Sequence, residues 1–407
     1  MNAVPQQRPW SSLFPALAQQ VHGHRLVYLD GAASTLTPQP VIDAIARYQS
    51  LDHANVHRGV HALSERATAQ FEAAREAARA FLGAASTREI VFTRGATEAL
   101  NLVAIALGAR LQRDDEVIVS ALEHHANLVP WQMACARSGA RLRAIPVRDD
   151  GTLDDAAFAA LLGPRARVLA VTQVSNALGT VVDVARLVAR ARAAGLLTVV
   201  DGAQAVAHGN VDVQALGCDF YALSAHKMYG PTGIGVLYGR EAELERVPPL
   251  FGGGDMIESV TLESAVYAGL PARLEAGTPN ISGAVGLHAA IRFLAEHGGA
   301  QARRAEHELM QRMELRLATL PGVRVLARGA RKLGALSFVL DEVHAHDVGT
   351  LLDRRGVAVR VGHHCAMPVM QRFGVPATVR ASLSLHNTAD DVDALVDAVR
   401  EAAERLR

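Results

Sequence analysis

The stretch LLTVVDGAQAVAHGNVDVQALGCDFYALSAHKMYGPTGIGVLYG, residues 196–239, holds three apolar runs, LLTVV, CDFYAL and GIGVLYG. The first two end abruptly in polar clusters, Asp-Gly-Ala-Gln and Ser-Ala-His-Lys. Runs that are apolar on both faces read as strands buried between helices, the mark of a mostly parallel sheet. Upstream the pattern continues with EIVFT (89–93), DEVIVSA (115–121) and ARVLAVTQVS (166–175). Between them lie helical segments such as SERATAQFEAAREAARAFLG (64–83), where Phe71, Ala74, Ala78 and Phe81 share a face and Gly83 is a natural stop. The alternation predicts an α/β fold, a large domain with a mostly parallel central sheet covered by helices. In such sheets sites gather at the carboxyl ends of the strands. The polar clusters TRGATEALN (93–101), SALEHHAN (120–127) and TQVSNALGT (172–180) fall there as well.

Beyond about residue 290 the texture changes. Residues 288–320 read as long and helical, and VRVLARG, GALSFVLD, VAVRVG and TVRASLSL read as strands of a smaller α+β C-terminal domain. The closing segment from Asn387 is an amphipathic helix with Val392, Leu395, Val396 and Val399 as its stripe. Thr388 and Asp391 have capping-box spacing. The expected division is an N-terminal segment, 1–25, packing on the small domain, a large domain, 26–290, and a small domain, 291–407.

The 41 basic and 41 acidic side chains balance. No excess charge points to nucleic acid or a membrane surface. No run reaches the roughly 18 apolar residues of a membrane span, and the N-terminus lacks a signal-peptide pattern. Three scattered cysteines, Cys135, Cys218 and Cys365, do not make a disulfide framework and suit a reducing cytoplasm.

Lys227 follows a strand, in a run of serine, histidine and glycine. Partial desolvation there would lower its pKa and make it a usable amine. Ser224 and His226 could bind a phosphate. Asp201 ends a strongly apolar strand, where a carboxylate needs a cationic partner. A protonated pyridine nitrogen is one such partner; a helix N-cap is another use. Gln204 could reach a ring hydroxyl. Gly95, Ala96 and Thr97 form a strand-to-helix turn with free N–H groups, an anion site. His124 follows another strand. The order of a phosphate turn, a histidine, Asp-x-x-Gln and Ser-x-His-Lys is what pyridoxal 5'-phosphate requires. RVGHHCAMPVM (360–370) poses a separate question, whether Cys365 is a metal ligand, a buried filler or a nucleophile. Adjacent histidines do not chelate from one face and no Cys-x-x-Cys supplies further ligands, so no metal is expected.

SAHKMYGPTGIG resembles the lysine signature of class-V aminotransferase-fold enzymes, which are fold-type I pyridoxal-phosphate transferases. YLDGAAST, NVHRGVHALSERAT, EHHANLVPWQ, DGAQAV, FGGGDMI, EAGTPN and RVGHHCAMPVM resemble the SufS-type cysteine desulfurases, in order and over nearly the whole chain. The resemblance implies that Lys227 holds the cofactor as a Schiff base and that His124 stacks on its ring and assists proton transfer. Asp201 would pair with the ring nitrogen and Gln204 with the ring oxygen. Thr97, Ser224 and His226 would hold the phosphate, and Thr278 would complete the phosphate site of the partner subunit in a homodimer. Asn176 and Arg380, helped by Arg360, would bind the substrate carboxylate. Cys365 would take the sulfur of L-cysteine as a persulfide and pass it to a SufE-like or SufU-like acceptor for iron–sulfur cluster assembly. Selenocysteine lyase activity, or another reaction on the same fold, is the alternative. Four positions depart from the family's pattern: Asp255, Val361, Ala96 and His386.

Overall fold

The computed structural model describes residues 10–406. Residues 1–9 of the expected N-terminal segment lie outside the described residues.

Seven strands build the large sheet: β1 (Ile90–Thr93), β2 (Glu116–Ser120), β3 (Arg141–Ile145), β4 (Ala166–Thr172), β5 (Leu197–Asp201), β6 (Phe220–Ser224) and β7 (Gly235–Gly239). Their order is β1-β7-β6-β5-β4-β2-β3. β7 runs antiparallel to both neighbours, and the remaining pairs are parallel. β6 and β7 are buried at every position, as strands covered on two faces must be. The carboxyl ends of β2, β4, β5 and β6 therefore point to one edge, and the polar clusters noted above stand along it.

The helix Ala62–Leu82 buries Phe71, Ala74 and Ala78, with Leu82 fully buried where Phe81 was expected; Phe81 is half-buried. His61 caps its start by accepting the Ser64 N–H, and Gly83, at φ +67°, ends it in the left-handed conformation that glycine adopts without penalty. The long helical run expected over 288–320 is two helices, Ile281–His297 and Ala300–Ala318, broken at Gly298–Gly299. The first packs on Gln39–Arg47 and Ala62–Leu82, and the second on the closing helix Ala389–Leu406. A border at 290 would cut the first of these helices.

The second sheet has four antiparallel strands, β8 (Val323–Val325), β9 (Ala335–Leu340), β10 (Arg360–Gly362) and β11 (Thr378–Ser382), in the order β8-β9-β11-β10. The closing helix covers it with Val392, Leu395, Val396 and Val399, all buried. Each such side chain contributes about 1.5–3 kcal/mol by leaving water. The Thr388 N–H donates to Asp391 Oδ2 at 3.0 Å, one half of the expected capping box.

The N-terminal segment touches both units. Phe14 sits among Tyr229, Phe293 and His386, with ring centroids 5.1–5.9 Å apart. His386 thus joins an aromatic cluster. Val27–Tyr28 pairs in parallel with Val357–Ala358. A separate hairpin, Ile257–Val260 with Ala265–Tyr267, stands out from the body and carries Leu262 fully exposed.

Candidate active site

The ends of β5 and β6 floor a cavity of about 480 Å³. Lys227, Asp201, His124, Ser224, His226 and Thr97 line it, as do Asn176, Arg360, Arg380 and Cys365 from above. Ten side chains from seven separate segments thus converge on one space.

Asp201 is buried, and Oδ1 accepts the Ala203 N–H at 3.0 Å. Burial raises its carboxyl pKa, a shift that the Ala203 hydrogen bond and the Lys227 charge oppose. Burial lowers the pKa of Lys227, and Asp201 opposes that shift too. A carboxylate enclosed this way is completed by a cation in the cavity. The lowered Lys227 amine is a ready nucleophile for an aldehyde.

The helix Ala96–Gly108 starts at the cavity wall. Ser224 Oγ accepts the Ala96 N–H at 2.8 Å, which leaves the hydroxyl proton to donate into the cavity. Ala96 therefore contributes through its backbone, whatever its side chain. With the exposed Thr97 hydroxyl and the ring of His226, this is an anion site at a helix N-terminus. Burial and Lys227 lower the pKa of His226 to about 4.

His124 Nδ1 accepts the Ala126 N–H at 3.0 Å, so the neutral ring carries its proton on Nε2. Burial, then the charges of Lys227, His125 and Arg380, lower its pKa to about 4. The ring is neutral at physiological pH.

Two expected contributors stand apart from this cavity. Gln204 donates Nε2 to the Ala32 carbonyl at 2.7 Å, and it is Ala32 that lines the space. Thr278 lines a neighbouring cavity of about 700 Å³ with Phe251, Glu98 and Gly233.

The roof comes from the second sheet. Arg380 is buried; Nη1 donates to the Asn176 carbonyl at 2.8 Å, and Nε is buried without a partner. Asn176 Nδ2 donates to the His364 carbonyl at 2.6 Å, and its Oδ1 is likewise unpaired. Unsatisfied buried groups facing a cavity mark where a polar ligand binds. Cys365 is exposed, and its N–H donates to His363 Nδ1 at 3.0 Å. His364 and Cys365 both lie at φ +53°, a left-handed pair without glycine. The His364 ring bonds Thr378 Oγ1 at 2.8 Å; burial, then Arg380 and Arg360, lower its pKa to about 3. Among the described residues no group of three or more His, Cys, Asp or Glu side chains is arranged to hold a metal ion.

Three residues here had no role assigned from the sequence. Asp30 accepts from both Arg360 and Arg380. His125 donates its N–H to the Cys365 carbonyl at 2.7 Å, and its Nε2 accepts the Met367 N–H. Glu123, which precedes His124 in the chain, accepts from Asn127 Nδ2 and the Thr172 N–H; burial pushes its carboxyl up to about 8 against these bonds. Asp30 and His125 stood inside recognisable motifs, YLDGAAST and EHHAN, but their partners lie more than 200 residues away.

Residues 27–395 match the family model of the class-V aminotransferases. A cysteine desulfurase of Klebsiella pneumoniae is 50% identical over 395 residues, 97% of each chain. A probable cysteine desulfurase of Vibrio cholerae is 47% identical over 394 residues, again 97% of each. The crystal structure of the Escherichia coli cysteine desulfurase CsdA, in its S-sulfonic acid form, matches with a TM-score of 0.91 at 43% identity, covering 99% of this chain and 100% of that one. A cavity that joins a half-buried lysine and a buried aspartate to an exposed cysteine accords with these relatives, and the chain belongs to the class-V aminotransferase family, among its fold-type I, pyridoxal-phosphate-dependent cysteine desulfurases.

Proposed function

We propose that this protein removes the sulfur of L-cysteine, leaving L-alanine, and carries that sulfur on Cys365 as a persulfide. The observation that carries the reading is that Lys227 and Cys365, from different units of the fold, line one cavity with the buried Arg380.

Lys227 would hold pyridoxal 5'-phosphate through its amine, Asp201 the ring nitrogen, and Ser224, His226 and Thr97 the phosphate. The bound cofactor supplies an electron sink for charge developing at the substrate Cα. Arg380, with Asn176 and Arg360, takes the substrate carboxylate; a guanidinium fork matches that shape. Lys227, its pKa lowered by burial, accepts the Cα proton as a neutral amine. His124, which lines the cavity with its proton on Nε2, would stack on the ring and assist proton transfer. The Cys365 thiolate attacks the substrate sulfur. The S–S bond forms as the Cβ–S bond breaks; the bonding pair stays with Cβ, which takes a proton, and the proton held on Lys227 returns to Cα to give alanine. Cysteine and the Cys365 thiol thus become alanine and the Cys365 persulfide.

Delivery to a SufE-like or SufU-like acceptor for iron–sulfur cluster assembly accords with the exposure of Cys365. A homodimer in which Thr278 reaches the partner's phosphate site accords with the exposed Phe251, which lines the same cavity as Thr278, and with the exposed Val260 and Leu262 of the protruding hairpin. All three cysteines are unpaired, which suits the cytoplasm. Among the described residues no helix is long and apolar enough to cross a membrane.

Mass spectrometry after L-cysteine addition tests the reading. The Cys365 peptide should gain one sulfur atom as alanine appears, and Cys365→Ala should form neither persulfide nor sulfide. Wild-type turnover in Cys365→Ala would overturn it. Lys227→Ala should lose the lysine-dependent absorbance of the bound cofactor.

A further inference from the structure

Glu123 is only 1% exposed and takes no part in the steps proposed for the reaction. It stands just past the end of β2. That strand last pairs with β4 at Val119 and Ala170. Two residues further along β4, the Thr172 N–H has no β2 partner, and Glu123 Oε1 accepts it at 3.0 Å. Thr172 is itself paired with Asp201 on β5. Glu123 Oε2 accepts Asn127 Nδ2 at 2.6 Å, and Asn127 Oδ1 accepts Nε1–H of the buried Trp131 at 3.2 Å. The Asn127 N–H donates to the His124 carbonyl at 2.8 Å. One side chain therefore fastens the turn that presents His124 to the strand beside Asp201.

The carboxyl has no counter-charge. Ser120, Asn127 and the Thr172 backbone bond it and are neutral, and so is the adjacent His124 ring. Asp201 is the ionisable group whose charge acts on it, and its sign is the same. Among the described residues no lysine or arginine forms an ion pair with Glu123. A carboxyl buried this way keeps its proton. The Ser120 hydroxyl, which meets Oε1 and can turn from donor to acceptor, has room for it.

We propose that Glu123 is a positioning residue: held as the neutral acid, its side chain braces the His124 turn against β4 and leaves Asp201 as the buried carboxylate that faces the cofactor. The proposal rests on the reading of His124 and Asp201 as the groups that hold the ring. A second carboxylate beside Asp201 would drive a proton onto one of the two. A protonated Asp201 could no longer balance the charge on the ring nitrogen. Glu123 acts through His124 and Asp201 and touches none of the reacting atoms.

Infrared spectra of the holoenzyme test the protonation. At about pH 6, where ordinary carboxyls are ionised, the wild type should show a carboxylic-acid C=O band that Glu123→Gln lacks. Identical spectra overturn the proposal. The melting temperature gives a second readout. Unfolded, Glu123 ionises near its ordinary value of about 4.3; folded, burial and then Asp201 hold it protonated to about 8, against its hydrogen bonds. Between these values the folded state binds the extra proton, so stability from this group falls as pH rises. Glu123→Gln lacks that dependence and should gain on the wild type from about pH 5 to about pH 8; a constant gap overturns the proposal. The amide also loses one acceptor of the brace, so kcat should fall about tenfold with the KM for L-cysteine unchanged. An unchanged kcat overturns the positioning role. If that variant does not fold, Ser120→Ala reads the same acid: with one hydrogen bond fewer, its band should move to higher frequency, and an unmoved band overturns the proposal. Failure of the wild-type protein to form alanine from cysteine would instead defeat the reading of the reaction, while the acid band and the melting profile still decide whether Glu123 is held neutral.

Discussion

The side-chain amide of Asn176 donates to the carbonyl of His364 at 2.6 Å, so a loop of the large sheet grips the residue directly before Cys365. The His125 N–H holds the next carbonyl, that of Cys365, at 2.7 Å. Both gripped residues are left-handed, at about 1–2 kcal/mol each without glycine. The two hydrogen bonds offset that strain and tie the cysteine loop to the unit that carries Lys227.

Asn176→Ala removes the first of these bonds and leaves a buried carbonyl unpaired, a loss of about 1–3 kcal/mol. Persulfide formation should slow about tenfold, in step with the looser loop. Alkylation of Cys365 by iodoacetamide should become faster. Single-turnover kinetics and the alkylation rate check the two halves together.

Arg75 pairs with Glu275 at 2.7 and 2.9 Å and lies 4.6 Å from the Phe92 ring centre. Burial disfavours the Arg75 charge, but Glu275 and Glu72 outweigh it and leave its pKa raised. Arg75→Ala would strand the Glu275 carboxylate, a loss of about 3–5 kcal/mol. Urea unfolding should show it. The loop that runs from Glu275 to Thr278 should loosen with it, and protease cleavage near Thr278 should increase.

His208 Nδ1 meets Glu306 Oε1 at 2.7 Å, both side chains buried, and the Gly334 N–H donates to the same carboxylate. Burial alone would lower the His208 pKa; Glu306 outweighs it and leaves it raised. The stabilisation is therefore complete below the ordinary value of about 6.5 and is lost as pH rises through the raised value. The wild-type melting temperature should fall from pH 6.5 toward pH 9 by this contribution, and the fall should be absent in His208→Gln. At pH 6 that variant should be less stable by about 1–3 kcal/mol. Parallel pH profiles for the two proteins would contradict the assignment.

Leu262 is fully exposed at the hairpin tip, with Val260, Val266 and Tyr267 half-exposed or more along it. Apolar side chains gathered on one protruding element mark an interface. Leu262→Asp should shift the protein toward monomer in sedimentation velocity while leaving the monomer's circular dichroism unchanged.

The floor of the site was legible because each of its groups follows an apolar strand, and strand ends in a parallel sheet share an edge. Asp201, Ser224 and Lys227 needed only that rule. β3 escaped the same reading, since Arg141–Ile145 is exposed at most positions and edges the sheet. The antiparallel direction of β7 was equally hidden, because strand polarity leaves no trace in an apolar run. The pairing of Asp30 with Arg360 spans 330 residues, and no local pattern encodes a contact of that reach. Gly298–Gly299 was in plain view, but the helical pattern on either side masked it as a break.

The cross-strand facing of Arg360 and Arg380, directly opposed residues of β10 and β11, also limits how this chain can be re-engineered. Fifteen residues separate β10 from β11, and they hold the cysteine loop and a short helix outside the ladder. Their number could change without turning either arginine. Inside β11 the side chains alternate with a period of two. One inserted residue between Thr378 and Arg380 would send the guanidinium to the opposite face, while two would return it. Parity within the strand, rather than the length of the loop, is the sequence property that keeps the anion site facing the cavity.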